Sequence, residues 1–135
     1  MNALAKRTMN LYDQVTYDAS VDFADQHVLV SMLFRALADN LSDCERHMSK
    51  NEFSAKGEKI SKAQNIITGL LTTLDFERGG KIATELGSIY RYCNSRLTQA
   101  HARNDLVMLR EVKGILGKLE SAWQSIPSSI ANSAQ

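Results

Sequence analysis

The sequence predicts an all-α protein, an antiparallel up-down bundle of four long helices with a short or extended N-terminal segment. Apolar residues recur at intervals of three and four over most of the chain, as on the buried face of a helix. The chain contains one proline, Pro127, near its C-terminal end, so a helix can run almost anywhere before it. The breaks between the helical patterns are short, which favours antiparallel neighbours.

The same patterns divide the chain into three parts. Residues 1–24 mix apolar side chains without one clean period, and we expect this N-terminal segment to pack on or cap the bundle. Residues 25–126 are expected to form the helical bundle domain. Residues 127–135 contain too little apolar surface to fold alone and are expected to be a mobile tail.

The first long helix is predicted over residues 25–48, with Asp22 or Asp25 as its N-cap, because a short carboxylate accepts hydrogen bonds from the first turn. Its apolar stripe is wider than one buried face requires, so we expect it to meet partners on two sides. The residues that widen the stripe are Leu29, Met32 and Ala36.

Three further helices follow, each preceded by a polar or glycine-containing break. Asn51 or Ser54 is the predicted cap of the second helix, and Asn104 or Asp105 is the predicted start of the fourth. Paired glycines at 79–80 are expected to adopt the positive φ that lets the chain reverse direction. The third helix is expected to bury Ile82, Leu86, Ile89, Tyr90, Cys93, Leu97 and Ala100.

Composition argues against several classes of function. Sixteen basic residues nearly balance 15 acidic residues, and the net charge is +1, so nucleic acid is not an expected partner. No apolar run approaches the ~20 residues of a membrane span, and membrane insertion is not expected. The first residues lack the apolar core of a signal peptide, which predicts a soluble, cytoplasmic protein.

No residue pattern typical of an active site is present, so we predict neither an enzyme nor a cofactor. Cys44 and His47 lie three residues apart on one helix, but structural zinc takes four ligands, and no metal site is expected. Cys44 and Cys93 are predicted to be small buried hydrophobes without a disulfide. One chemical alternative stays open, a histidine phosphotransfer module that uses His47 or His101.

Two features of the helical segments favour a binding surface. Gly114 and Gly117 lie inside the last predicted helix, where glycine is unfavourable by up to about 1 kcal/mol relative to alanine. They would permit close approach of a neighbouring bundle helix or of a partner peptide. Tyr90 lies on the apolar stripe of its helix, whereas Tyr92 should point away from it, to solvent or to a partner.

Short motifs follow one another in a fixed order through this region. They are KAQ at 62–64, TLDFERGG at 73–80, YRYCNSRLTQA at 90–100 and AW at 122–123. In this order the chain resembles the flagellin-specific export chaperones, the FliS family, over roughly residues 25–126.

The resemblance implies a helical bundle that binds the disordered C-terminal region of flagellin in the cytosol. Binding would prevent premature polymerisation and aid delivery to the flagellar export apparatus, whose gate components are further candidate partners. A homodimer is left open, and a generic helical adaptor is an alternative to the chaperone function. The flagellin-binding residues implied by the resemblance are Tyr12, Leu29, Leu33, Phe34, Leu37, Tyr90, Asn94 and Leu97.

Overall fold

The computed structural model describes residues 23–126, with side chains from Gln26 onward. Within this part of the chain there are four α-helices and no strand. The predicted all-α fold class is therefore confirmed. The helices are α1 (Phe23–Ser49), α2 (Phe53–Thr72), α3 (Phe76–Arg103) and α4 (Leu106–Ser125).

Each helix packs mainly against two others, in the cyclic order α1, α2, α3, α4. Side-chain contacts show that neighbours run antiparallel. His27 near the start of α1 meets Trp123 near the end of α4, whereas Glu45 near the end of α1 meets Arg110 near the start of α4. The first helix therefore has partners on two sides, α2 and α4, as its wide apolar stripe predicts.

The core lies between the four helices and is built from the predicted stripes. Cys44 and Cys93 are fully buried within it, and both thiols are free. Burial in apolar surroundings disfavours the thiolate and raises the pKa of each cysteine to about 11. Tyr90, at 1% exposure, is the largest fully buried side chain.

Short acidic residues start the third and fourth helices. Asp75 accepts a hydrogen bond from the amide of Arg78 at 3.1 Å, and Asp105 accepts one from the amide of Met108 at 3.1 Å. Asp105 is one of the two starts predicted for the fourth helix. Asn104 instead ends α3, in the left-handed conformation with φ of 50°.

The second helix begins differently from the prediction. Its N-cap residue is Glu52, whose side chain makes no capping hydrogen bond within the described residues, so neither Asn51 nor Ser54 is the cap. Asn51 instead takes a positive φ of 56° in the turn after α1. Asparagine tolerates this left-handed conformation better than most residues, which suits it to the turn rather than to the cap.

A buried lysine fastens the start of α2 to the end of α3. The Nζ of Lys56 donates to the His101 carbonyl oxygen at 3.1 Å and to Oδ1 of Asn104 at 3.1 Å. The side chain is only 3% exposed. A cation at a helix C-terminus is favoured because the last carbonyl groups are unpaired and the helix dipole is negative there.

The positive φ predicted for the glycine pair is confirmed at Gly80, but the pair lies inside α3 and not in the connection that precedes it. Thr73, Leu74 and Asp75 connect the two helices. Gly80 does have a positive φ, 51°, and with ψ of −125° it breaks the helical geometry between the first turn of α3 and the rest. Glycine adopts this conformation without the steric cost of a Cβ.

Two apolar residues that were expected to pack against neighbouring helices are exposed. Met32 is 50% exposed on α1, and Ile82 is 59% exposed on α3. Beyond Gly80, α3 turns Ala83 and Gly87 inward, and a helix rotates each residue about 100° from the one before. Ile82 is therefore carried out of the core.

Several expectations lie outside the described residues. They concern the N-terminal segment up to residue 22, including Asp22 as the N-cap and Tyr12 as a site residue, and the tail from residue 127. Because α1 begins at Phe23, Asp25 lies inside the helix and is not its N-cap.

Candidate functional site

An apolar pocket opens where the start of α3 and the end of α4 meet α1. Its volume is about 140 Å³, close to the ~150 Å³ of a cavity that accepts one benzene-sized group. We call it the α3–α4 pocket. Its lining residues are Phe34, Ile82, Leu86, Tyr90, Leu119, Ala122, Trp123 and Ile126.

A second depression, the α1–α4 groove, runs beside the pocket between the two helices. Its volume is about 110 Å³. Phe34 lines both depressions, so they adjoin each other along α4. The residues lining the groove are Phe34, Leu37, Ala38, Leu41, Lys113, Leu116, Gly117 and Glu120.

Trp123 is held in the pocket wall by reciprocal contacts with His27. The two rings stack with centroids 4.9 Å apart and planes 13° apart. Nε1 of Trp123 donates to the His27 carbonyl oxygen at 3.2 Å, and Nε2 of His27 donates to the Trp123 carbonyl oxygen at 3.1 Å. The indole is therefore oriented before any ligand arrives, which lowers the entropic cost of binding.

At the other end of the groove, a charged cluster ties α4 to α1. Glu45 accepts from Nε of Arg110 at 2.7 Å and from Nζ of Lys113 at 2.9 Å. These hydrogen bonds, first from Arg110 and then from Lys113, lower the pKa of the Glu45 carboxyl. Lys113 thus contributes its aliphatic chain to the groove while its ammonium group is paired with Glu45.

A comparable cluster joins α3 to α4. The Tyr92 hydroxyl donates to Oε1 of Glu111 at 2.9 Å, and Nε of Arg96 donates to the same oxygen at 3.0 Å. The hydrogen bond to Glu111 raises the pKa of Tyr92. Tyr92 is 46% exposed while Tyr90 is buried, so the predicted opposite orientations of the two tyrosines are confirmed.

The predicted site residues are distributed unevenly over this surface. Phe34, Leu37 and Tyr90 line it. Three others are buried in the bundle and line neither depression: Leu29, Leu33 and Leu97. Asn94 lies where α3 meets α2, and its carbonyl oxygen accepts a hydrogen bond from Nε2 of Gln64 at 3.0 Å.

Other lining residues did not emerge as site candidates from the sequence. Ile82 was predicted only as a core residue, and Trp123 was noted in the AW motif without a site role. Glu120 carried no signal because it belongs to no motif. The apolar character of the stripe does not tell which of its members face a depression. That information depends on how α3 and α4 lie against α1.

The glycines of α4 have no packing role among the described residues. A Cβ placed on Gly114 or on Gly117 would meet no described atom within 4 Å, and both residues are exposed. The prediction that they let a neighbouring bundle helix approach closely is therefore wrong. Gly117 instead lies in the α1–α4 groove, where a partner peptide remains the open alternative.

The two histidines considered for phosphotransfer lie away from this surface. Nδ1 of His47 is 3.0 Å from Oε1 of Glu52. His101 is exposed, and its ring lies beside Gly57, where an added Cβ would come within 3.2 Å of Cε1. Among the described residues no group of three or more His, Cys, Asp or Glu side chains is arranged to hold a metal ion.

None of the helices within residues 23–126 combines the length and apolar character that a membrane crossing requires.

Comparison with known proteins identifies close relatives over most of the chain. The family model described as flagellar protein FliS matches residues 8–129. The flagellar secretion chaperone FliS of Salmonella typhimurium is 41% identical over 116 residues, which are 85% of this chain and 86% of the relative. FliSB of Pseudomonas aeruginosa is 36% identical over 122 residues, 90% of this chain and 97% of the relative. FliS of Bacillus subtilis is 32% identical over 105 residues, 78% and 77% of the two chains.

Proposed function

Because the chain belongs to the FliS family of flagellar secretion chaperones, we propose that it binds the disordered C-terminal region of flagellin in the cytoplasm. Bound flagellin cannot polymerise prematurely and is delivered to the flagellar export apparatus, where gate components receive the complex. The protein acts by binding alone, without catalysis or a cofactor.

Two adjoining apolar depressions along α4 are the observation that supports this proposal. An amphipathic segment recognised by a groove inserts side chains spaced by three and four residues into successive depressions. The α3–α4 pocket and the α1–α4 groove, joined at Phe34, offer two such positions. Burying apolar side chains there offsets the entropy that a disordered ligand loses on folding.

The test requires a lining residue whose substitution leaves the bundle intact. Phe34 is unsuitable because it is 3% exposed, and truncation of a buried phenylalanine costs about 3–5 kcal/mol of stability. Ile82 is 59% exposed and lines the α3–α4 pocket. Val107, at 77% exposure near the opposite end of α4, is a matched control because it is also β-branched and aliphatic.

We predict that Ile82→Glu lowers the affinity for the flagellin C-terminal segment about tenfold or more, because a carboxylate against apolar ligand atoms is costly. Val107→Glu should bind like the wild type. Calorimetric titration gives the affinities, and circular dichroism with thermal unfolding verifies that both variants fold. Equal affinities of the two folded variants would show that the pocket is not part of the binding surface.

A further inference from the structure

We infer that Glu120 is a specificity-determining residue of the α1–α4 groove, where its carboxylate accepts a hydrogen bond from an N–H donor side chain of the bound flagellin segment. This inference rests on the proposed function. It means that a ligand of the groove must carry a hydrogen-bond donor as well as apolar side chains.

The position of the Glu120 carboxylate is unusual for a charged group. Its Oε2 atom is buried and has no hydrogen-bond partner among the described residues. The residues that share the groove with it on α1 are apolar: Phe34, Leu37, Ala38 and Leu41.

No cation of α4 is placed to neutralise this oxygen. The positions one turn away, where side chains on a helix meet, are Leu116, Gly117, Trp123 and Gln124. Lys113 lies two turns away, roughly 10 Å along the axis, and donates to Glu45 instead.

An unpaired buried acceptor is unfavourable, because it has lost hydrogen bonds to water without replacement. A ligand that brings a donor to Oε2 restores the lost hydrogen bond, and a ligand without a donor leaves it unmade. The carboxylate therefore selects among apolar segments that would otherwise fit the groove equally well.

The groove is open one turn before Glu120. Gly117 lies one turn before Glu120, and a Cβ there would meet no described atom within 4 Å. A ligand backbone can approach α4 closely at this point and place a side-chain nitrogen near the carboxylate. The acceptor without a described partner and the open position at Gly117 are independent observations at neighbouring positions of the groove.

The experiment is titration of the full-length protein with the flagellin C-terminal segment. Glu120→Met removes the acceptor and keeps the side chain long and flexible, and we expect its affinity to fall about fivefold or more, the usual effect of losing a hydrogen bond to a charged group. Thermal unfolding of the unliganded variant should be unchanged or shifted to higher temperature, because a buried acceptor without a described hydrogen-bond partner is removed. A residue that only supports the fold would not weaken binding while leaving stability intact.

Glu120→Gln distinguishes the two kinds of donor. It retains a neutral acceptor of the same size, so its affinity falls between those of Glu120→Met and the wild type if the donor is a lysine or arginine, and stays close to wild type if the donor is an amide. Glu58→Met is the matched control, since Glu58 is exposed on α2 away from the groove, and it should bind like the wild type. Binding of Glu120→Met as tight as or tighter than wild type would overturn the inference. Failure of the wild type to bind flagellin would contradict the proposed function instead.

Discussion

Glu45 is the residue through which charge holds α1 and α4 together beside the groove. Its two carboxylate oxygens accept from Arg110 and Lys113. Arg110 is 59% exposed and Glu45 is 25% exposed, so solvent screens the cluster, and its contribution should resemble that of a surface network, about 0.5–1 kcal/mol.

We predict that Glu45→Gln lowers the free energy of unfolding by about that amount at pH 7. The folded protein holds the pKa of Glu45 below its unfolded value. The stabilisation is therefore fully present above the unfolded pKa and is lost as the pH falls through the folded pKa. Urea unfolding of both proteins at pH 7 and pH 3 measures the difference. A difference of the same size at both pH values would show that the loss comes from packing and not from charge.

At the scale of one helix, α4 keeps two glycines that the bundle itself does not require. Gly114 and Gly117 lie at helical positions, and a Cβ on either would meet no described atom within 4 Å. Gly80 of α3 differs, because its φ of 51° is a conformation that other residues rarely adopt. The same substitution should therefore have opposite effects in the two helices.

We predict that Gly114→Ala and Gly117→Ala each raise the free energy of unfolding by about 0.5–1 kcal/mol, since alanine is the better helix former. Gly80→Ala should lower it by about 1 kcal/mol or more. Denaturant unfolding of the three variants tests both directions together. Destabilisation by either substitution in α4 would mean that α4 packs more closely than its described surroundings indicate.

The helices themselves could be predicted from the sequence because their signals are local. Apolar spacing predicts α1 to α4, and the acidic caps predict where α4 begins. The orientation at the start of α3 could not be predicted, because the geometry of Gly80 rotates Ile82 outward. A positive φ at a glycine is allowed but not required, so its place in the chain reversal or inside a helix depends on the surrounding packing.

The candidate surface was only partly predictable for a similar reason. Phe34, Leu37 and Tyr90 emerged from the stripes and from the family resemblance, and they line the surface. Glu120 did not, because a glutamate on a helix is ordinarily solvated. Its role depends on the α1 side chains that share the groove with it, and those residues are far away in the sequence.

At the scale of the whole molecule, side-chain contacts join the helices at both ends of the bundle, and one side remains apolar and open. Lys56 joins α2 to α3 at one end, and the His27–Trp123 pair joins α1 to α4 at the other. Between and beside these contacts, the pocket and the groove leave apolar side chains accessible along α4. Such a scaffold changes little when it binds, so the conformational change on association should belong to the ligand.

The most direct measurement is calorimetric titration of the wild-type protein at several temperatures. The ligand is the last ~50 residues of flagellin from the same organism, a length that spans a segment able to fold on binding. The proposal predicts submicromolar one-to-one binding with a clearly negative heat-capacity change, because the disordered segment buries apolar surface as it folds onto the bundle. No detectable binding at any temperature, with the bundle shown to be folded, would contradict it.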